Sequence, residues 1–238
     1  MIGCPPCQPF YSIMKFPEIE KHISTPRLKR YLRVCGNKTR AIKLYKANMK
    51  LSQAFHPLLG LIEVVLRNNI NDALSAHFSD PDWVINQKNG FMTSPTLRGT
   101  RFYLKTEIER TERKLRQRQI VVTSGRIIAE QTFGFWTDLF EPHHFRLIGA
   151  SPMNAFDNLP LSTNRSVVVA KLKAIRKFRN RINHNEPIIL YRNSIDFTLA
   201  TEIHNSILEV LSWIDSKLIR WVSGLDKVPK TLAQCQKI

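Results

Sequence analysis

Acidic residues are the scarce class in this chain. Its 238 residues hold 19 Asp plus Glu against 36 Lys plus Arg, a formal net charge of +17. So large a cationic excess is self-repulsive and favours a polyanionic partner, of which nucleic acid is the first candidate. Glycine is sparse at 9, and no internal repeat or low-complexity tract stands out, so disorder is not expected beyond the ends. No apolar run approaches the ~20 residues of a membrane-spanning helix, and no lipidation signal or basic amphipathic helix flanked by aromatics suggests a membrane surface. The N-terminus lacks the basic start and long apolar core of a secretion signal. These absences predict a soluble, cytoplasmic protein with no membrane partner. Strand-like alternation is weak throughout, while 43% hydrophobic residues can fill a substantial core. The expectation is an all-α chain folded as one helical domain.

Cysteine is also limited, to Cys4, Cys7, Cys35 and Cys235. Cys4 and Cys7 have the spacing of a zinc knuckle or redox pair, but no second pair of ligands accompanies them, and no strand precedes them to open a redox helix. They read as part of an irregular N-terminal segment, residues 1–22. The tandem histidines His143 and His144 follow Pro142 without a third ligand in the sequence. No metal or other cofactor is expected.

The helical pattern starts at Ser24-Thr25-Pro26, a hydroxyl cap followed by an early proline, and Gly36 ends this first helix. A second helix runs through Ala41, Leu44, Tyr45, Met49 and Leu51 to Pro57. The next stretch, "LLGLIEVVL" (Leu58 to Leu66), is apolar on all sides and reads as a buried helix continuing to about Phe78. Glu63 and Arg67 within it share a face at a spacing of four, with Asn68 alongside. They read equally well as a structural ion pair or as support for a nearby site. Residues 82–100 are turn-rich. A helix over about 101–119 carries the favourable spacings Glu109 to Arg113 and Glu112 to Arg116. The aromatic "FGFWTDLF" (Phe133 to Phe140) reads as core, with Gly134 allowing close approach. Ser162-Thr163-Asn164 opens a helix containing Val168, Leu172 and Ile175. A last helix spans about 196–222, closed by Gly224 and Pro229, and leaves residues 226–238 as a tail. The helical domain is therefore placed at residues 23–225.

The densest polar chemistry lies at the end of the penultimate helix. Extending the stripe Val168, Leu172, Ile175 by helical spacing reaches Arg179 and then Ile182, which puts an arginine where packing would favour an apolar residue. Asn180 and His184 are four apart and share a face, and Pro187 halts the helix just beyond them. An arginine can grip a phosphate and stabilise charge developing on it, and a histidine can take or give a proton near neutral pH. With an asparagine to orient either group, the trio suits metal-free cleavage of RNA by its own 2′-hydroxyl. The competing reading is a solvated basic face, since Lys171, Lys173, Arg176, Lys177, Arg179 and Arg181 lie within eleven residues.

The stretch "RNRINHNEP" (Arg179 to Pro187) resembles the Arg-Asn-x-x-x-His signature of the HEPN superfamily, in particular its Abi-like, abortive-infection branch. The segments "STPRLKRYL", "AIKLYKANMKLSQAFHPLLGLIEVVLRNNINDAL" and "FGFWTDLF" resemble that branch's blocks in the same order, over residues 20–215. Glu63-Arg67-Asn68 matches a further family feature. The resemblance implies a HEPN-like helical bundle with additional helices, dimerisation that brings two Arg and His sets together, and metal-independent endoribonuclease activity in toxin or phage-defence systems. Arg179 and His184 would be catalytic and Asn180 would assist, with Glu63, Arg67, Asn68 and Asn185 in support. Lys171, Lys173, Arg176, Lys177 and Arg181 would contact RNA. Asn185 departs from relatives that carry a second histidine there. Position 186 is Glu where some HEPN toxins place a modifiable tyrosine. Two alternatives stand beside this reading: a nucleic-acid-binding HEPN module without catalysis, and a helical protein whose basic face meets an acidic antitoxin or phage component.

Overall fold

The computed structural model describes residues 14–238, and the Cys4–Cys7 pair lies outside them. The architecture is all-α, with one two-residue hairpin as its sole sheet among the described residues. In chain order the helices are α1 (Phe16–Ile23), α2 (Thr25–Cys35), α3 (Lys38–Phe78), α4 (Trp83–Asn86), α5 (Tyr103–Gln117) and α6 (Ser124–Glu130). There follow α7 (Phe133–Asp138), α8 (Pro142–Phe145), α9 (Arg165–Asn183), α10 (Thr198–Ile214), α11 (Lys217–Val222) and α12 (Val228–Cys235). Strands β1 (Leu190–Tyr191) and β2 (Ser194–Ile195) pair antiparallel between α9 and α10.

The spine is α3. Sequence spacing breaks this region at Pro57, yet the helix runs straight through it for 41 residues. The proline and its i−4 partner Gln53 both face solvent, so water can serve the carbonyl that loses its bond. The helix is not apolar all round at Leu58–Leu66 either: Leu58, Leu59, Ile62 and Leu66 are buried, whereas Gly60 and Val64 are exposed. Against α3 pack α2, α7, α10, α12 and a 3-10 turn at Ser151–Ala155. The ring of Phe55 lies 4.8 Å from that of Phe178 and ties α3 to α9.

The aromatic block on α7 is core, as its composition implies. Phe133, Phe135, Trp136, Leu139 and Phe140 are all buried. A β-carbon on Gly134 would lie 3.3 Å from the Tyr103 hydroxyl and 3.6 Å from the Arg176 guanidinium carbon, so glycine lets both side chains approach. On α5, Glu112 pairs with Arg116 (3.9 Å) and more closely with Lys88 (2.7 Å), while Glu109 meets Lys105 (3.9 Å) rather than Arg113.

The outer boundaries differ from the sequence reading. Residues 16–23 are helical rather than irregular. The segment expected as a tail contains α12, whose Val228, Leu232 and Cys235 follow helical spacing and are buried. There the Cys235 thiol donates to the Ala47 carbonyl at 3.6 Å, and Arg40 Nε donates to the Ile238 carbonyl at 3.3 Å. Pro229 opens α12 instead of closing the helix before it. That preceding helix is itself two. Asp215 is extended, and its carboxylate accepts from Lys217 N at 2.8 Å, which stops α10 and starts α11. The break leaves Trp221 largely exposed.

Candidate active site

Asn164 starts α9 by accepting from the backbone N–H groups of Ser166 (2.9 Å) and Val167 (3.2 Å), a cap worth about 1 kcal/mol. The helix then buries Val168, Leu172, Ile175, Phe178 and Ile182. The buried stripe also takes in Phe178, stepping three residues and then four. Arg179, about 40° round from Ile175, falls within the same sector and is half-buried. Its guanidinium Nη2 lies 2.9 Å from Glu63 Oε2 on α3, with the two side chains 30% and 18% exposed. A pair this open contributes on the order of 0.2–1 kcal/mol, but it fixes where the guanidinium points.

Glu63 thus binds the candidate catalytic arginine across the helix interface, and of the two readings of the Glu63 and Arg67 spacing the ion pair between them does not form. Arg67 instead donates to the Ala129 carbonyl of α6 at 3.3 Å, while its Nε is buried without a partner among the described residues. Asn68 is exposed.

The end of α9 is closed by backbone geometry. His184 N donates to Asn180 O (2.9 Å), Asn185 N to Ile182 O (2.9 Å) and Glu186 N to Arg181 O (2.8 Å). With Asn185 at φ +52°, this is a Schellman closure with a left-handed residue at its centre. Asparagine tolerates that conformation better than most side chains. Position 185 is here first a conformational position.

Past the turn, residues 186–188 are held from α3. Asn48 is fully buried; its Oδ1 accepts from Ile188 N at 2.7 Å and its Nδ2 donates to the Glu186 carbonyl at 3.4 Å. Arg181 adds a donor to the Pro187 carbonyl and lies 3.7 Å from the Glu186 carboxylate. Burial lowers the Arg181 pKa from its ordinary value, partly offset by Glu186. Burial also raises that of Tyr31, whose hydroxyl has no partner among the described residues, and Tyr45 adds to the shift.

This scaffold leaves His184 exposed on the wall of an open groove of about 360 Å³, whose other walls include Arg27, Arg30, Asn185 and Glu186. Two cations from α2 thus line the same groove as the imidazole. The sequence reading missed Arg27, Arg30 and Asn48. The first two could have been found from α2, where Leu28 and Tyr31 face inward and leave the arginines on the adjoining side. Asn48 gave only the weaker signal of a polar residue on an apolar face.

The predicted residues are not all assembled. Asn180 is exposed and meets His184 only through the backbone. No hydrogen bond or ion pair among the described residues joins Arg179 to His184 within one chain. The basic run is also largely occupied: Lys171 pairs with Glu209 (2.7 Å), Lys173 with Glu141 (2.8 Å), and Arg176 donates to Thr137 Oγ1 (3.3 Å). Lys177 alone of the five proposed RNA contacts is exposed and without a partner among the described residues. No helix among the described residues is long and apolar enough to cross a membrane. Compared with family models, curated proteins and solved structures, the chain gives no match, so a functional reading rests on these side chains and their geometry.

Proposed function

We propose that the protein is a HEPN-type, metal-independent endoribonuclease that acts as a homodimer, with a role in abortive infection or phage defence. The observation that supports this best is the exposed His184 in a groove flanked by Arg27 and Arg30, while Glu63 fixes the direction of Arg179 on the same helix. In the proposed reaction the 2′-oxygen attacks the adjacent phosphorus and its proton passes to an imidazole. The P–O bond to the 5′-oxygen breaks, and that oxygen takes a proton from a second, protonated imidazole. The products are a 2′,3′-cyclic phosphate and a 5′-hydroxyl. One chain supplies a single His184, whereas the reaction needs a base and an acid, and a two-fold dimer supplies both. Arginines stabilise the charge on the non-bridging oxygens.

A second reading is favoured by one specific observation. Glu63 already neutralises Arg179, so a non-catalytic RNA-binding module would use Arg27, Arg30 and Lys177 for phosphate contacts and leave Arg179 structural. The test is cleavage of total RNA in excess chelator by wild type, His184→Ala and Arg179→Ala, with dimerisation measured by sedimentation. Catalysis predicts cyclic-phosphate ends from wild type and a loss of at least about 100-fold in His184→Ala. Equal cleavage by wild type and His184→Ala, or salt-sensitive binding with intact RNA, refutes the nuclease reading.

A further inference from the structure

The tandem histidines lacked a third ligand in the sequence, and the fold supplies one. Asp138, at the end of α7, turns back over α8 so that one ligand atom from each of Asp138, His143 and His144 lies within 4.8 Å of the other two. The carboxylate Oδ2 is 3.0 Å from His144 Nδ1 and 3.7 Å from His143 Nε2. Ligands bound to one ion at about 2.0–2.2 Å are separated by roughly 3.0–3.6 Å in tetrahedral or octahedral geometry, so these spacings need shift by only a few tenths of an ångström.

His143 gives an independent indication. Its Nε2 is buried with no hydrogen-bond partner among the described residues, although the Asp138 carboxylate lies 3.7 Å away. A buried polar atom left unpaired is costly, and an ion held between the two would satisfy it. His144 is fully buried and turns Nδ1 toward Asp138, 3.0 Å from Oδ2 and 3.1 Å from the backbone carbonyl. Nδ1 is thus its ligand atom, and binding exchanges these contacts, and any proton on Nδ1, for the metal bond.

We propose that Asp138, His143 and His144 form a binding site for one divalent transition ion of the zinc class. Two imidazole nitrogens and one carboxylate oxygen are the ligand types zinc accepts, and they leave a fourth position for water. His143 is partly exposed and gives a route of entry. The ion would pin the corner between α7 and α8, against which α9 leans through Lys173 to Glu141 (2.8 Å), Arg176 to Thr137 (3.3 Å) and Arg165 to the Phe140 carbonyl (2.8 Å). Its role is to hold that corner and not to take part in chemistry at His184.

The test uses the untagged 238-residue chain carrying Cys4→Ser and Cys7→Ser, so that these thiols cannot contribute. After chelation and dialysis, zinc is titrated by calorimetry and cobalt(II) is added as a visible-absorption probe. The site predicts one ion per chain, cobalt d–d bands that zinc abolishes, and a melting temperature that rises with zinc concentration. Asp138→Asn and His143→Ala should each weaken zinc affinity by on the order of 100-fold or more, whereas His184→Ala should bind as wild type does. His143 is only half-buried, so its variant remains informative where a His144 substitution fails to fold. No saturable uptake, or wild-type affinity in both Asp138→Asn and His143→Ala, overturns the proposal. RNA cleavage below the stripped protein's melting temperature is unaffected by this outcome, so the two readings fail separately.

Discussion

Asn48 supports the groove from beneath, and its removal has a calculable cost. In Asn48→Ala the Ile188 N–H, now bonded at 2.7 Å in a fully buried setting, loses its acceptor. An orphaned buried donor costs about 1–3 kcal/mol. The longer bond to the Glu186 carbonyl (3.4 Å) adds about 0.5 kcal/mol at most. Alanine returns about 0.6 kcal/mol in helix propensity. The expected net loss is about 2 kcal/mol, which for a domain of this size lowers the melting temperature by roughly 4–8 °C. Urea denaturation followed by circular dichroism measures it, with Asn68→Ala as control. Asn68 lies on the same helix but is exposed, so its replacement reports the propensity gain alone. Amide exchange at residues 186–190 should accelerate in Asn48→Ala only. A loss below about 0.5 kcal/mol, or matching results for the two variants, would refute the clamp.

Other expectations are narrower. Asn185→Gly should keep or raise stability by up to about 1 kcal/mol, and Asn185→Val should lower it by about 1–2 kcal/mol, since only the former suits φ +52°; chemical denaturation of both separates a conformational position from a chemical one. A double-mutant cycle on Glu63→Gln and Arg179→Gln should give a coupling of about 0.5–1 kcal/mol that fades with salt, and additivity would show that the pair does not persist in solution. Burial raises the folded pKa values of Cys35, Cys235, Tyr31 and Tyr103. Their contribution is complete below the unfolded pKa values and is lost as pH rises through the folded ones, so stability should decline above about pH 8.5 as unfolded thiols ionise and again above about pH 10. Urea midpoints across this range check the trend, and Cys235→Ala should flatten its first part.

The sequence made the fold class and most helices legible because apolar spacing on α2, α5, α9 and α10 follows burial closely. It misplaced elements where a local signal competed with packing. Pro57 suggested a break, but a proline facing water can sit within a helix supported along its other side. Val228, Leu232 and Cys235 looked like the end of a tail because a single stripe of three residues shows its meaning only against Ala47 and its neighbours. At the site, Arg179, His184 and Glu63 were legible as chemically suggestive residues. The partner of Glu63 was not, because a spacing of four on one helix favours Arg67, and no pattern along the chain reports that α9 crosses at that point. Asp138 was invisible as a companion to His143 and His144 for a related reason: five residues apart, it joins them only when α7 ends and α8 turns back.

The proline within α3 also divides the protein's resistance to opening. Before Pro57 the helix is tied to Tyr31 through Tyr45, to α12 through Ala47, to residues 186–188 through Asn48, and to Phe178 and His204 through Phe55. After it the ties go to Arg179 through Glu63, to Ala129 through Arg67 and to Trp83 through Asn71. The missing amide hydrogen at Pro57 places the weakest link of the backbone ladder between these two sets. Amide exchange on the native protein should therefore resolve α3 into two blocks with separate opening free energies, and ligands bound at the groove should slow the first block more than the second.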